Sequence, residues 1–248
     1  MNRPQLANCL WISPAAVGAG HPETSSQRFA RAIADRANLV VHGLEVWRRR
    51  SDEPYDLGTE LAAIERDAAE HGMERYHLFG FSAGATVALA AALKLGGTVQ
   101  TVTVFEPATI GDDDWSSMET RWRQELAGVR ALAAERRPAA FRRLMMGDDD
   151  LPPFLPAPPV WTSRTDRLED LLAAVGFVSA DLARIGQPTT VLTGGLGHVR
   201  FRRLAERMVE VIPQAKAVTF PRCSHLAPPH REDPVRLADV LTRAWAAE

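Results

Sequence analysis

Residues 76–97 read YHLFGFSAGATVALAAALKLGG, and they are the most informative part of the sequence. An apolar, strand-like run over residues 76–81 leads into the pentapeptide Gly80-Phe81-Ser82-Ala83-Gly84. An alanine-rich helical segment follows and ends at Gly96-Gly97. The G-x-S-x-G pattern between a strand and a helix is typical of a nucleophile elbow, in which a sharp turn presents a serine hydroxyl above the end of a strand.

The spacing of this pentapeptide has a chemical reason. Glycines two residues before and after Ser82 remove side chains that would collide with the neighbouring strand and helix at a strained turn. The backbone N–H of Ala83 comes at the start of the helix, where an unpaired donor and the helix dipole favour a developing negative charge. The stretch therefore predicts Ser82 as a nucleophile and Ala83 as an oxyanion donor.

The composition of the chain is that of a globular protein. It has 248 residues, of which 46% are apolar and 24% charged, and 29 basic residues against 31 acidic ones argue against a nucleic-acid partner. Its two cysteines, Cys9 and Cys223, are too few for a disulfide framework. No leader pattern and no apolar run long enough for a membrane span occurs, so we expect a cytoplasmic protein with no membrane partner.

Short β-branched runs alternate along the chain with longer segments of helical period, which is typical of an α/β fold with a mostly parallel sheet. The predicted strands are residues 9–13, 38–42, 76–81, 98–105, 189–193 and 217–220.

This alternation is interrupted between the fourth and fifth predicted strands. Only helical and proline-rich patterns occur there, with helices predicted at residues 115–136, 138–146, 164–175 and 179–185. Such a length exceeds a plain connection between a strand and a helix. We therefore predict a core domain of residues 1–108 and 187–248, with residues 109–186 inserted as a helical cap.

The motifs resemble those of the α/β-hydrolase fold family along nearly the whole chain. The segments that carry the resemblance are residues 10–15, 39–42, 80–84, 102–107, 191–195 and 223–234. The resemblance implies a mainly parallel, eight-stranded sheet flanked by helices, with a cap inserted after the strand that ends near Phe105. It also implies a triad whose nucleophile, acid and histidine follow one another in the chain.

His225 is the predicted base. A serine needs a base within hydrogen-bond reach, and imidazole has a suitable pKa. His225 follows the last predicted strand and precedes the C-terminal helix, as the histidine of the family does, and Ser224-His225-Leu226-Ala227-Pro228 is similar to the family's closing motif. The alternatives are His230, in the same loop, and His198, after the preceding strand.

The acid departs from the family pattern. Most members carry an aspartate after the strand that ends here near Thr193, but Gly194-Gly195-Leu196-Gly197-His198 stands there, and no carboxylate comes before Glu206. Some members place the acid after the preceding strand, where this chain has Glu106. A carboxylate there would fix the tautomer of His225 and stabilise its imidazolium. The weaker candidates are Asp112, Asp113 and Asp114, and without any of these the serine and histidine would form a dyad.

The predicted oxyanion loop is also altered. Ser13-Pro14-Ala15-Ala16 occupies the place where family members commonly show His-Gly, and Pro14 has no N–H to donate. The N–H of Ala15 is then the predicted second donor, with an ordinary loop as the alternative interpretation.

No nucleotide-binding, phosphate-binding or metal-binding motif occurs, so no cofactor and no metal is expected. The leading hypothesis is a serine hydrolase that acts on a small or medium apolar ester, lactone or thioester. One alternative is a non-hydrolytic cyclase or lyase of natural-product biosynthesis, and another is a catalytically dead binding protein of the same fold. The partner is a small molecule; the oligomeric state is open, with a homodimer as one option.

Overall fold

The structure is a computed structural model, and it describes residues 6–14, 24–108, 117–146, 162–175, 177 and 179–246. For residues 24–26, 117 and 118 it describes the backbone alone. The part of the chain that it describes forms one sheet, with helices on both faces.

All six predicted strands are present. They are β1 (Ala7–Ser13), β2 (Ala37–Gly43), β3 (Tyr76–Phe81), β4 (Val99–Phe105), β5 (Thr189–Gly194) and β6 (Ala215–Phe220). Their order in the sheet is β2-β1-β3-β4-β5-β6, and each neighbouring pair is parallel. The chain order therefore reverses between β1 and β3, a point at which parallel sheets commonly bind ligands beyond the carboxyl ends of their strands.

The strand count differs from the eight that the resemblance implied, because the described residues contain six. Two further strands would have to pair outside β2 or β6, since the other strand edges are already hydrogen-bonded to a neighbour, and no described residue pairs at either edge. The architecture, a parallel sheet flanked by helices, is confirmed.

Ten α-helices connect and follow these strands in the described residues. They are α1 (Thr24–Ile33), α2 (Leu57–Glu70), α3 (Ala83–Leu95), α4 (Ser117–Ala131), α5 (Arg137–Met146), α6 (Ser163–Val175), α7 (Ser179–Leu182), α8 (Val199–Val211), α9 (Pro229–Glu232) and α10 (Pro234–Trp245). Within this part of the chain, each helix is too short or too polar to cross a bilayer.

The sheet separates two apolar layers. Alternate residues of β1, such as Leu10 and Ile12, face a cluster completed by α2, α3 and α8, whereas Cys9 and Trp11 face a cluster completed by α1 and α10. This alternation follows from the period of two in a strand. Helix α3 is buried from Ala83 to Ala92, because α2, α6 and the sheet surround it, and it is accordingly apolar on every side.

Four helices, α4 to α7, lie between β4 and β5, close to the positions that the sequence predicts. Helices α4 and α5 share a small apolar cluster with Phe201 of α8. In contrast, Leu168, Leu171 and Leu172 of α6 join the main core beside α3. A separate cap over residues 109–186 stays a prediction.

Candidate active site

Ser82 lies on the turn between β3 and α3 in a strained backbone conformation. Its φ is 54° and its ψ is −121°, in a region that residues with a side chain seldom occupy and that costs about 1–3 kcal/mol. Its backbone N–H donates to Phe105 O over 3.0 Å, which ties the turn to the end of β4. The turn thus has the geometry that the sequence predicts for it.

The two flanking glycines are required by close backbone approaches. A methyl group on Gly84 would lie 2.1 Å from the carbonyl oxygen of Ile12 in β1. One on Gly80 would lie 2.5 Å from the carbonyl oxygen of Gly84. Both distances are far below van der Waals contact, so the helix could not start so close to the sheet with any larger residue at either position.

His225 reaches Ser82 from the loop between β6 and α9. The distance from Ser82 Oγ to His225 Nε2 is 3.1 Å, and the histidine side chain is buried. A tight turn fixes this loop, because Ser224 and Ala227 exchange two backbone hydrogen bonds of 3.1 Å around His225. Residues 143 positions apart are thereby brought within hydrogen-bond distance.

Glu106 holds the other nitrogen of the imidazole. Its Oε2 lies 3.0 Å from His225 Nδ1, and its Oε1 accepts a hydrogen bond of 2.8 Å from the backbone N–H of Gly194. Glu106 is 1% exposed and has a φ of 45°. The structure therefore joins Ser82, His225 and Glu106 in one continuous hydrogen-bonded chain.

One glycine of the loop after β5, Gly197, makes room for this carboxylate. A methyl group on Gly197 would lie 3.2 Å from Glu106 Oε1, which is tighter than ordinary contact. The loop that lacks the family's usual aspartate thus packs its backbone against the carboxylate that comes from the neighbouring strand. The weaker acid candidates, Asp112, Asp113 and Asp114, lie outside the described residues.

The two alternative histidines are engaged elsewhere. His198 caps α8, where its Nδ1 accepts the backbone N–H of Arg200 over 3.0 Å. The ring of His230 packs against Trp11 and Phe81, with centroids 4.9 and 5.3 Å away. Burial lowers the pKa of His230 to about 3, so it is neutral at pH 7.

One predicted oxyanion donor can be placed. Ala83 is the first residue of α3, so its backbone N–H has no acceptor within the helix. It is the residue next to Ser82 and is buried. Ala15, the predicted second donor, lies outside the described residues; Pro14, just before it, accepts a hydrogen bond of 2.7 Å from Trp47 Nε1.

Two aromatic rings enclose the imidazole. Phe201, in the first turn of α8, stacks on His225 with a centroid distance of 4.7 Å and an interplanar angle of 5°. Phe81 lies at 5.3 Å, tilted by 50°. The sequence patterns did not predict this contact of Phe201. Its only signal is its place just after the glycine-rich loop that replaces the usual acid.

Within the described part of the chain, no group of three or more His, Cys, Asp or Glu side chains is arranged to hold a metal ion. The arrangement that these residues do form is a hydroxyl, an imidazole and a carboxylate in sequence, next to a free helix N-terminus. Such an arrangement can activate the hydroxyl as a nucleophile and stabilise an oxyanion.

Residues 12–240 match a family model described as the alpha/beta hydrolase family. No curated protein matches the sequence.

Solved structures of similar fold cover nearly the whole chain. One is an alpha/beta hydrolase from Sphaerobacter thermophilus, with a TM-score of 0.64 and 23% identity over 97% of this chain and 93% of that one. Another is MenH from S. aureus, with a TM-score of 0.66 and 15% identity over 97% and 93%. A third is a meta-cleavage product hydrolase from Pseudomonas fluorescens, with a TM-score of 0.63 and 15% identity over 97% and 90%. At these identities the likeness shows the fold.

Proposed function

This chain belongs to the alpha/beta hydrolase family, and on that premise we propose that it is a cofactor-independent serine hydrolase acting on a small or medium apolar ester, lactone or thioester. The observation that carries the proposal is the chain of contacts from Ser82 Oγ to His225 Nε2 and from His225 Nδ1 to Glu106 Oε2. Both distances are within hydrogen-bond range, and each group has the chemistry that its role requires.

In the first step Ser82 Oγ attacks the substrate carbonyl carbon while its proton passes to His225 Nε2. The imidazolium that forms is stabilised by Glu106, whose Oε2 accepts a hydrogen bond from the protonated Nδ1. Glu106 is itself held by Gly194 N–H, so its orientation does not depend on the histidine alone.

The tetrahedral intermediate carries its negative charge on the former carbonyl oxygen. The N–H of Ala83, at the start of α3, donates to this oxyanion, and Ala15 is the proposed second donor. As the intermediate collapses, His225 gives its proton to the leaving group and an acyl-enzyme remains on Ser82. Water then attacks the acyl carbon, gives a proton to His225, and the acid product leaves as Ser82 regains its proton.

The surroundings of the imidazole support an apolar substrate. Phe81 and Phe201 pack on its ring, and Leu226, the next residue after His225, packs against the apolar cluster of α4 and α5. We assign residues 109–186 as a cap that completes the binding site over the carboxyl ends of the strands. Apolar groups that exclude water also strengthen the charged interactions at the reacting centre.

The test is to measure the hydrolysis of a series of aryl esters whose acyl chains have about two to eight carbons. Ser82→Ala should lower kcat/KM by on the order of 10⁴-fold or more, because the nucleophile is lost. Ser51→Ala changes an exposed serine and should leave kcat/KM unchanged. Hydrolysis that Ser82→Ala retains would contradict the acyl-enzyme. If His225→Ala then abolished it, His225 would be acting as a base without a nucleophile, as in the cyclase or lyase alternative.

A further inference from the structure

An aromatic ring covers one face of the imidazole that the proposed reaction uses as its base. The ring of Phe201 is almost parallel to that of His225, at an angle of 5° and with the two centroids 4.7 Å apart. This distance lies at the short end of the range for offset-stacked aromatic pairs. Phe201 is 2% exposed and His225 is 4% exposed, so the stacked pair is out of bulk water.

The two hydrogen bonds of the imidazole do not by themselves fix the plane of its ring. They join His225 Nε2 to Ser82 Oγ over 3.1 Å and His225 Nδ1 to Glu106 Oε2 over 3.0 Å. A rotation of the ring about the line through these two oxygens keeps both distances, yet it carries Nε2 sideways. In the proposed reaction this nitrogen takes a proton from Ser82 Oγ and then gives it to the leaving group, and both transfers depend on alignment. One rotation of the base is therefore left for packing to restrain.

The stacked ring of Phe201 opposes this rotation. A tilt of the imidazole either drives one of its edges into the phenyl ring or opens a gap between the two faces, and even a small gap loses much of the van der Waals attraction. Phe81 also lies against the imidazole, at 5.3 Å and with a tilt of 50°. The parallel contact is the one that fixes a plane, because a tilted neighbour touches the imidazole over a smaller area.

Phe201 is itself held from two directions. Its backbone N–H donates to His198 O over 3.1 Å in the first turn of α8. The ring of Trp122 in α4 meets it in an edge contact, with the centroids 5.9 Å apart and an angle of 67°. Both rings belong to the small apolar cluster that also contains Leu144 and Met145 of α5. A displacement of Phe201 would therefore disturb the packing of α4 and α5.

The residue before Phe201 ties α8 to α4. Arg200 Nε lies 2.8 Å from Glu119 Oε1, and Arg200 Nη2 donates to Glu119 Oε2 over 3.1 Å. The guanidinium also lies over the ring of Trp122, 4.3 Å from its centroid. Arg200 and Glu119 are both buried, and breaking such a pair would leave an uncompensated charge out of water. Trp122 is therefore kept next to the helix turn that carries Phe201.

We propose that Phe201 is a positioning residue for the reaction: its ring, backed by Trp122, fixes the plane of the His225 imidazole and so keeps Nε2 in line with both Ser82 Oγ and the leaving group. This rests on the proposed function for its kinetic consequence. Phe201 acts through the histidine and takes no part in proton transfer itself. Its removal should therefore slow the chemical steps without weakening the binding of substrate.

The test separates kcat from KM in variants of Phe201. Phe201→Leu keeps an apolar side chain but removes the flat ring. For an aryl ester it should lower kcat roughly 10- to 100-fold and change KM by less than about twofold, because alignment is lost while the binding site is kept. Phe201→Tyr retains the ring and should recover most of the activity, with kcat within about threefold of wild type.

Phe29→Leu is the matched control. Phe29 is a fully buried phenylalanine of α1 whose ring packs against Trp11, with the centroids 5.5 Å apart. The two leucine variants should lose comparable stability toward urea, but Phe29→Leu should keep the kcat of wild type. The same kcat in Phe201→Leu and Phe29→Leu overturns the proposal. A raised KM with an unchanged kcat in Phe201→Leu also overturns it, because Phe201 would then be contacting the substrate instead.

A second readout does not depend on turnover. NMR relaxation of histidine-labelled protein gives the order parameter of the His225 Cε1–H bond, which reports rotation of the ring. This order parameter should fall from about 0.85 in wild type to below about 0.6 in Phe201→Leu, and Phe201→Tyr should restore it. An imidazole that is equally ordered in wild type and in folded Phe201→Leu overturns the inference.

The positioning role and the proposed function fail on different results. If the order parameter behaves as expected while wild type hydrolyses no ester, the proposed function fails and the positioning role stands. If wild type hydrolyses esters and Phe201→Leu changes neither kcat nor the order parameter, the positioning role fails alone. If Phe201→Leu does not fold, Trp122→Leu replaces it, because it removes the ring behind Phe201. Unchanged kcat and an unchanged order parameter in that variant overturn the inference.

Discussion

The position of Glu106 distinguishes this site from the usual family pattern. The carboxylate comes from the end of β4, and the loop after β5 contributes glycines where an acid is usual. Gly194 N–H and His225 Nδ1 bind its two oxygens, at 2.8 and 3.0 Å. The strained φ of 45° at Glu106 is consistent with a residue held in place by these contacts rather than by backbone preference.

Glu106→Gln tests this assignment. The amide keeps the shape of the side chain but carries no charge to stabilise the imidazolium, and its NH₂ group can leave His225 in the wrong tautomer. We expect kcat to fall on the order of 10³- to 10⁴-fold for an ester substrate. Glu74→Gln, an exposed glutamate, is the control and should behave as wild type. Full activity in Glu106→Gln would mean that another carboxylate, or none, orients the histidine.

The residues of the candidate site were predictable to different degrees. Ser82 could be predicted because its pattern is local, with both glycines and the strand and helix within a few positions. The pairing of Glu106 with His225 could be predicted only as one option, since it depends on which loop gives room to a carboxylate. Arg200 and Glu119 could not be predicted, because the 81 positions between them leave no local pattern and only the packing of α4 on α8 brings them together.

At the scale of elements, the elbow depends on the close approach of α3 to the sheet. Gly84→Ala should lower the free energy of unfolding by about 1–3 kcal/mol or more, because its methyl group would meet Ile12 O at 2.1 Å. Gly128→Ala lies on the exposed side of α4 with nothing within 4 Å and should raise stability by about 0.5–1 kcal/mol. Urea unfolding of both variants measures the contrast. Equal effects would show that the elbow glycines are not sterically required.

The predicted boundaries of helices and strands are most accurate where the residues are buried. The boundaries of β3 match the sequence prediction at both ends, because the strand is buried almost throughout and its apolar run is continuous. Strand β6 begins at Ala215, two residues before the prediction, since its first residues are largely exposed at the edge of the sheet and carry no apolar pattern. Helix α4 ends at Ala131, a few residues before the end predicted from the sequence, because the polar residues there give no clear signal for a helix end.

The fold of the whole molecule buries two histidines in neutral form. Burial lowers the pKa of His77 to about 4 and that of His230 to about 3, against an ordinary value of 6.5. Each of these histidines binds a proton more readily in the unfolded chain than in the folded protein. The free energy of unfolding therefore decreases as the pH falls below 6.5. His42 has the opposite effect. Burial alone would lower its pKa, but Glu60 and Asp67 outweigh burial and raise it. The stability that the protonated ring contributes is therefore lost as pH rises.

His230→Phe should therefore make the protein less sensitive to acid. Phenylalanine keeps an aromatic ring between Trp11 and Phe81 but binds no proton. Well below pH 6.5 and above pH 3, the slope of unfolding free energy against pH should decrease by about 1.4 kcal/mol per pH unit. Denaturant unfolding at several pH values measures this slope, with His71→Gln, at an exposed histidine, as the control. An unaltered slope would mean that His230 is protonated in the folded state.

Ser82 Oγ lies 3.1 Å from His225 Nε2 and is the proposed nucleophile. Its activation by His225 is tested by reaction with a fluorophosphonate followed by mass mapping of the modified peptide. We expect one adduct per chain on Ser82, formed far more slowly in His225→Ala and absent in Ser82→Ala. No adduct on the wild-type protein, or an adduct on a different residue, would contradict the account.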